Sequence, residues 1–178
     1  MLTSETALVN FFSKSLLRHG LTRSTIAEIT GETEFQPVLS DPGHKTAEID
    51  ADTVNRVIFC SGQVYASLIQ HRATLGLRNA AITRIEEIHP FPFAEVERNL
   101  AMYPNAETIV WAQEEHYNGG AWHFVRDRLE TVMRQRALGS KKVVYAGRQT
   151  SPTAATGSKL LHKHEQACLL EDAFTLDR

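Results

Sequence analysis

From Thr53 onward, short runs of β-branched and aromatic residues alternate with longer stretches of helical period. This alternation constrains the fold most, because repeated strand-helix units close most readily as a parallel sheet wrapped by helices. Strands are expected at residues 54–60, 80–85, 108–112 and 141–146, and helices at 63–75, 93–102, 121–136 and 159–174. In the first helix Val64, Leu68 and Leu75 mark an apolar face opposite Gln70, His71 and Arg72. In the third, Trp122, Val125, Leu129 and Val132 or Met133 recur every three or four positions. Ser61-Gly62, Pro90, Pro92, Tyr103-Pro104-Asn105, Gly119-Gly120, Gly139-Ser140 and Ser151-Pro152 separate the elements. The expected fold class is α/β, a mostly parallel sheet of about four to five strands with helices on both faces.

The first fifty residues do not share this pattern. A short apolar run at 7–12 precedes a brief helical piece and a polar stretch holding Gly31, Pro37, Pro42 and Gly43. Residues 1–52 therefore read as the tail of an upstream domain plus a linker, and 53–178 as one α/β domain. A chain of 178 residues with 42% hydrophobic content fills one such core and has no room for a second full domain.

With 19 basic against 21 acidic side chains, no net field draws the chain to nucleic acid or to an anionic membrane. No apolar run approaches the roughly 18–20 residues of a spanning helix. The amino terminus resembles neither a secretory signal nor an arginine-rich mitochondrial presequence. The expected partners are proteins or metabolites. Cys60 and Cys168 both stand beside apolar residues, and two buried thiols are expected rather than a disulfide.

No Gly-x-Gly-x-x-Gly follows a strand and no Gly-x-x-x-x-Gly-Lys-Ser/Thr occurs, so dinucleotide-dependent hydride transfer is not expected. His162 and His164 are two residues apart on a helix, a spacing that points them to different faces, so with Glu165 they read as solvated helix-end residues rather than zinc ligands. His89 and His116 are expected to make structural hydrogen bonds. The run Gln113-Glu114-Glu115-His116-Tyr117-Asn118-Gly119-Gly120 belongs at the carboxyl end of a strand, where open α/β sheets bind ligands. Its two carboxylates also complement the amino terminus of the helix that follows, which leaves them no need of a catalytic role.

Six ordered segments carry a resemblance. They are Ser13-Lys14-Ser15-Leu16-Leu17-Arg18-His19, Val57-Ile58-Phe59-Cys60-Ser61-Gly62-Gln63-Val64-Tyr65, Ile82-Thr83-Arg84-Ile85-Glu86-Glu87-Ile88-His89-Pro90-Phe91-Pro92-Phe93, Tyr103-Pro104-Asn105-Ala106-Glu107, Trp111-Ala112-Gln113-Glu114-Glu115 and Ala154-Ala155-Thr156-Gly157-Ser158-Lys159. Together they resemble the carboxyl-terminal part of the thiamine-dependent component of 2-oxoglutarate dehydrogenases, whose fold is transketolase-like. This family commonly has lysine at the position of Gln63, and proline or histidine followed by Lys-Asn in place of His116-Tyr117-Asn118.

The resemblance implies a domain of an oxidoreductase that decarboxylates 2-oxoglutarate and passes succinyl to a lipoyl carrier in the tricarboxylic acid cycle. In that family thiamine diphosphate and Mg²⁺ lie between two upstream domains, on a Gly-Asp-Gly motif that this sequence lacks. The chain alone is accordingly expected to be inactive, to hold neither cofactor nor metal, and to carry no catalytic residue. The implied setting is a homodimer bound to a lipoyl-bearing succinyltransferase, in the mitochondrial matrix of a eukaryote or the cytoplasm of a bacterium. A 2-oxoadipate dehydrogenase, or a stand-alone effector-binding or assembly module beginning at Met1, are the alternatives.

Some members of the family carry an acyl-CoA effector site in this region. An anionic effector, an acyl-coenzyme A or a nucleotide, is thus expected at the carboxyl edge of the sheet. Its candidate contacts are Ser61 and Gln63 at a helix amino terminus, Gln113 after the third strand, Arg148 after the fourth, and Lys14 and Arg18 from the linker. In the alternative arrangement Arg148 pairs with a carboxylate of the Glu114-Glu115 loop, and Lys14 and Arg18 are only solvated.

Overall fold

The computed structural model describes residues 16, 18–46, 48–135 and 143–175. The chain divides into two compact units, Met1–Thr33 and Glu34–Arg178. In the first, His19 Nδ1 accepts from the Leu21 amide at 3.3 Å to cap a single 3-10 turn, Gly20–Thr22. The short helix α1 (Ile26–Ile29) follows, its start fixed by the Thr25 amide donating to Glu28 Oε2 at 2.7 Å. Ile26 and Ile29 remain 76% and 66% exposed. The apolar run at 7–12 lies outside the described residues.

The second unit runs β1 (Val38–Leu39), α2 (Gly43–Thr46), β2 (Arg56–Cys60), α3 (Val64–Leu75), β3 (Ala80–Ile85), α4 (Phe93–Ala101), β4 (Thr108–His116), α5 (Trp122–Gln135), β5 (Val144–Arg148) and α6 (Lys159–Thr175). Its five strands lie in the order β1-β3-β2-β4-β5, parallel except for β1, which is antiparallel to β3. Alternation along the strands divides the core in two. Val57, Phe59, Ala81, Ile109 and Trp111 face a cluster completed by Val96 and Leu100 of α4 and Val125 and Leu129 of α5. Ile58, Cys60, Ile82, Val110 and Ala146 face the opposite cluster, completed by Leu68 of α3 and Leu169 and Ala173 of α6. Both faces of β2 are therefore buried, which explains the apolar run from Val57 to Cys60. Gly76, at φ 64°, ends α3 in the left-handed conformation that glycine adopts without steric cost, and the Leu77 amide returns to the Arg72 carbonyl at 3.2 Å.

The stretch expected to be linker up to residue 52 belongs in part to this unit. Val38 and Leu39 pair with Ile85 and Arg84, and the next turn is clasped by a buried ion pair. Asp41 is 1% exposed and receives both terminal nitrogens of Arg72, the amide of Gly43 at 2.8 Å and the amide of Ile82 at 2.6 Å. Arg72 also donates to the Ala80 carbonyl at 3.0 Å. Arg72 stands on the side of α3 opposite its expected apolar face, yet the clasp buries it. Beside it Thr83 donates to Asn99, and Asn99 to Ser40.

Two further boundaries differ from expectation. β4 runs four residues beyond Ala112, through Gln113-Glu114-Glu115-His116, with an irregular register against β5 between Ala112 and His116. β5 begins at Val144 and continues to Arg148, while the expected start at Lys141 and the stop at Gly139-Ser140 lie outside the described residues. Cys60 is buried as expected, but Cys168 is exposed because it lies on the outer side of α6. Both thiols are free.

Candidate functional site

The strand order places a topological switch point between β2 and β4. From β2 the chain crosses to β3 on one side, and from β4 it crosses to β5 on the other. In open α/β sheets the crevice beyond the carboxyl ends of two such strands is the usual ligand position. Here it is bordered by Ser61-Gly62-Gln63 and by the irregular end of β4 beyond Ala112 with the loop that follows it. Gly62, at φ 73°, makes the turn into α3. Gln63 is exposed, and its Nε2 reaches across to donate to Glu114 Oε2 at 2.5 Å. The two loops flanking the switch point are thus joined by one side-chain bond.

Gln113 is buried, and its side chain organises the second loop. Oε1 accepts from Trp111 Nε1 and from the Trp122 amide, each at 2.9 Å. Nε2 faces the carbonyls of Gly119 at 3.0 Å, His116 at 3.2 Å and Glu115 at 3.3 Å. These bonds direct its amide inward, so Gln113 shapes the loop rather than presenting a donor to the crevice. Gly120, at φ 59°, closes the same turn, and a Cβ there would lie 2.9 Å from Gln113 Nε2.

Around this loop Tyr117, Trp122 and Tyr145 pack with ring centroids 5.0–6.1 Å apart. Burial pushes the Tyr145 phenol up to about 12, and its hydroxyl is shared between the carbonyls of Arg148 at 2.9 Å and Glu115 at 3.2 Å. Asn118 makes reciprocal bonds with the backbone of Ser151 at 2.8 and 3.1 Å, tying the loop after β4 to the loop after β5. Asn118 was not among the expected site residues, and the Asn-Gly-Gly turn signal was its only trace in the sequence.

Arg148 ends β5 with only 8% of its side chain exposed. It does not pair with Glu114 or Glu115, as one sequence reading expected. Its Nη2 lies 2.9 Å from His162 Nδ1, and its Nε lies 3.7 Å from Glu165 Oε2 without a hydrogen bond of its own. Thr156 donates to the same carboxylate oxygen at 2.5 Å. Glu165 is half-buried beside Arg148, whereas His162 meets the guanidinium while remaining exposed, as expected of a residue near the start of α6. His164 instead points outward and lies 3.8 Å from Cys168 Sγ.

Ser61 and Gln63 are thus brought to one crevice, Gln113 is enclosed beneath it, and Arg148 sits one strand away, turned toward α6. Arg18 is exposed in the first unit, and its carbonyl accepts from Arg23 at 3.1 Å; Lys14 lies outside the described residues. His116 is buried opposite Arg148 in the strand register, and the His89 ring packs edge-on against Phe124 at 5.7 Å. Burial holds the Cys60 thiol well above its ordinary range, which makes it a poor nucleophile. Among the described residues no three His, Cys, Asp or Glu side chains gather as metal ligands. The side-chain bonds brace the loops at this end of the sheet against one another.

A model of the 2-oxoglutarate dehydrogenase C-terminal family matches residues 23–174. The chain belongs to that family. Mitochondrial 2-oxoglutarate dehydrogenase of Saccharomyces cerevisiae is 42% identical over 94% of this chain, and that of Schizosaccharomyces pombe is 41% identical over 93%. A probable 2-oxoadipate dehydrogenase complex component E1 homolog of Dictyostelium discoideum is 40% identical over 90%. The chain spans only 16–17% of the length of these relatives. A split-gene transketolase described as an inactive beta4 tetramer shares the fold, with a TM-score of 0.50 and 16% identity over 83% of this chain and 45% of its own. For this member of the family, neither the sequence nor the described side chains fit a metal-diphosphate site: Gly-Asp-Gly is absent and no ligand cluster forms.

Proposed function

We propose that this chain is the carboxyl-terminal domain of a succinyl-transferring 2-oxoglutarate dehydrogenase, in which it braces the assembly and receives effectors while chemistry occurs upstream. The observation that carries this reading is the family match over 23–174 in a chain about one sixth the length of its relatives. Thiamine diphosphate with Mg²⁺ then belongs to the remaining five sixths. The yeast relatives are mitochondrial, and the proposed setting of this chain is a homodimer working with a lipoyl-bearing succinyltransferase in the mitochondrial matrix. Ile26 and Ile29 of the first unit, 76% and 66% exposed, fit a segment that is covered in a longer enzyme.

At the carboxyl edge, Ser61 and Gln63 at the start of α3, with Arg148 beyond, are the proposed contacts of an anionic effector. The test of the main reading is a chimera in which residues 23–174 replace the corresponding part of the yeast enzyme. It should restore 2-oxoglutarate-dependent reduction of an artificial electron acceptor and assemble as the parent does, whereas the chain alone should show no such activity. Failure of a folded chimera to assemble or turn over rejects this reading. A second reading, a 2-oxoadipate dehydrogenase, is supported by the Dictyostelium relative, and supplying 2-oxoadipate to a longer natural form of the protein distinguishes it.

A further inference from the structure

A guanidinium only donates hydrogen bonds, so the 2.9 Å contact with His162 Nδ1 is a hydrogen bond when that nitrogen carries no proton. The bond joins the last residue of β5 to the first turn of α6, across a loop, 149–158, that contains no acidic, basic or histidine residue. We propose that the Arg148–His162 bond is a proton-operated latch, which holds the start of α6 and the 149–158 loop against the end of β5 and opens when His162 is protonated.

An imidazolium has no lone pair for the guanidinium, and protonation of the exposed His162 ring would set a second positive charge beside Arg148, which is only 8% exposed. The charge of imidazole changes between about pH 5 and 8. The surroundings favour an exchange of partners. Glu165, three residues along α6 on the neighbouring position of the same face, already lies 3.7 Å from Arg148 Nε and is positioned by Thr156. Once protonated, His162 can donate to that carboxylate, while Arg148 loses His162 Nδ1 as its hydrogen-bond acceptor on α6.

Other charged groups near α6 are differently engaged. Lys159 and Lys163 are exposed on α6 itself, and His164 faces Cys168. From β4, His116 lies beside Arg148 in the register, while Glu114 is taken by Gln63. From α3, His71 meets α6 three turns further on, at Phe174. Arg148, His162 and Glu165 are thus the charged groups that meet where the latch closes.

The test is backbone hydrogen exchange of the 178-residue chain at about pH 5.5 and about pH 7.5, corrected for the intrinsic exchange rate at each pH. Wild type is compared with His162→Asn, whose Oδ1 can accept from Arg148 at either pH but never takes the proton. Protection of residues 158–166 should fall about tenfold at the lower pH in wild type, as expected for loss of one hydrogen bond to a charged group. It should stay constant in His162→Asn and be low at both pH values in His162→Ala. A flat wild-type profile, or the same fall in His162→Asn, overturns the latch. Amides of β2 and β3 report in the same samples whether each variant is folded. If His162→Asn is not, the wild-type imidazole tautomer at neutral pH decides by nitrogen NMR: a proton on Nδ1 overturns the proposal and a proton on Nε2 sustains it.

Discussion

Arg72 and Arg148 are almost equally hidden, at 5% and 8% exposure, yet their surroundings differ. Arg72 meets a carboxylate with two nitrogens, and that carboxylate also receives two backbone amides, so little of either charge is left uncompensated. Arg148 has one close partner that can change its charge and a carboxylate at 3.7 Å, and its Nε makes no hydrogen bond. Burial alone therefore does not separate a clasp from a site. Complete pairing fixes a segment in place; incomplete pairing leaves a charge able to change partners.

The largest expected effect tests the clasp. Asp41→Ala leaves the Arg72 guanidinium buried and unpaired, and should cost about 3–5 kcal/mol in urea unfolding followed by circular dichroism. The double change Asp41→Ala with Arg72→Met should recover much of that loss. A single variant as stable as wild type would show that water reaches the pair. Next, Gln113→Ala strips acceptors and donors from the loop after β4 and should cost about 1–3 kcal/mol in the same assay, with blunted near-ultraviolet signals from Trp111 and Trp122.

Arg148→Ala should cost less stability than Asp41→Ala, about 1–2 kcal/mol, because Glu165 keeps Thr156 and His162 can turn to water. If the proposed effector site exists, the same change should weaken acyl-coenzyme A or nucleotide binding by about 1.5–3 kcal/mol in calorimetry. Unchanged affinity removes Arg148 from that site. The smallest effect is at the exposed pair Arg98–Glu95, where Arg98 is 74% exposed. Glu95→Gln should move stability by no more than about 0.5 kcal/mol, and a loss as large as that of Arg148→Ala would break the distinction between buried and surface pairing.

What could be read from the sequence follows the same division. The strand at 80–85 has the expected bounds because a run buried on both faces needs only its composition to be recognised. The α4 and α6 boundaries fall within one residue of expectation, their ends marked by apolar period and turn residues. β1 was missed because two residues carry no period, and the Asp41–Arg72 pair that fixes its neighbour joins positions 31 apart. The continuation of β4 was missed because Gln113-Glu114-Glu115 is polar, although Gln113 supplies from its side chain the bonds that hold the irregular end. At the edge site the residue types were legible and their partners were not. Whether Arg148 meets Glu114, Glu115 or Glu165 depends on how α6 returns to the sheet, and no local signal contains that.

The carboxylate of Asp41 has one more effect, on how the protein meets its neighbours. β3 would be the border of the parallel sheet, and β1 covers only its last two residues. By taking the Ile82 amide proton, Asp41 occupies the next position on that border with a side chain rather than with backbone. An extended segment from another molecule would need that proton for its own carbonyl, and would have to displace a buried, doubly charged pair to obtain it. The sheet is thereby sealed against growth on this side, and a border composed of residues that favour strand pairing is kept from becoming a route to fibrous association.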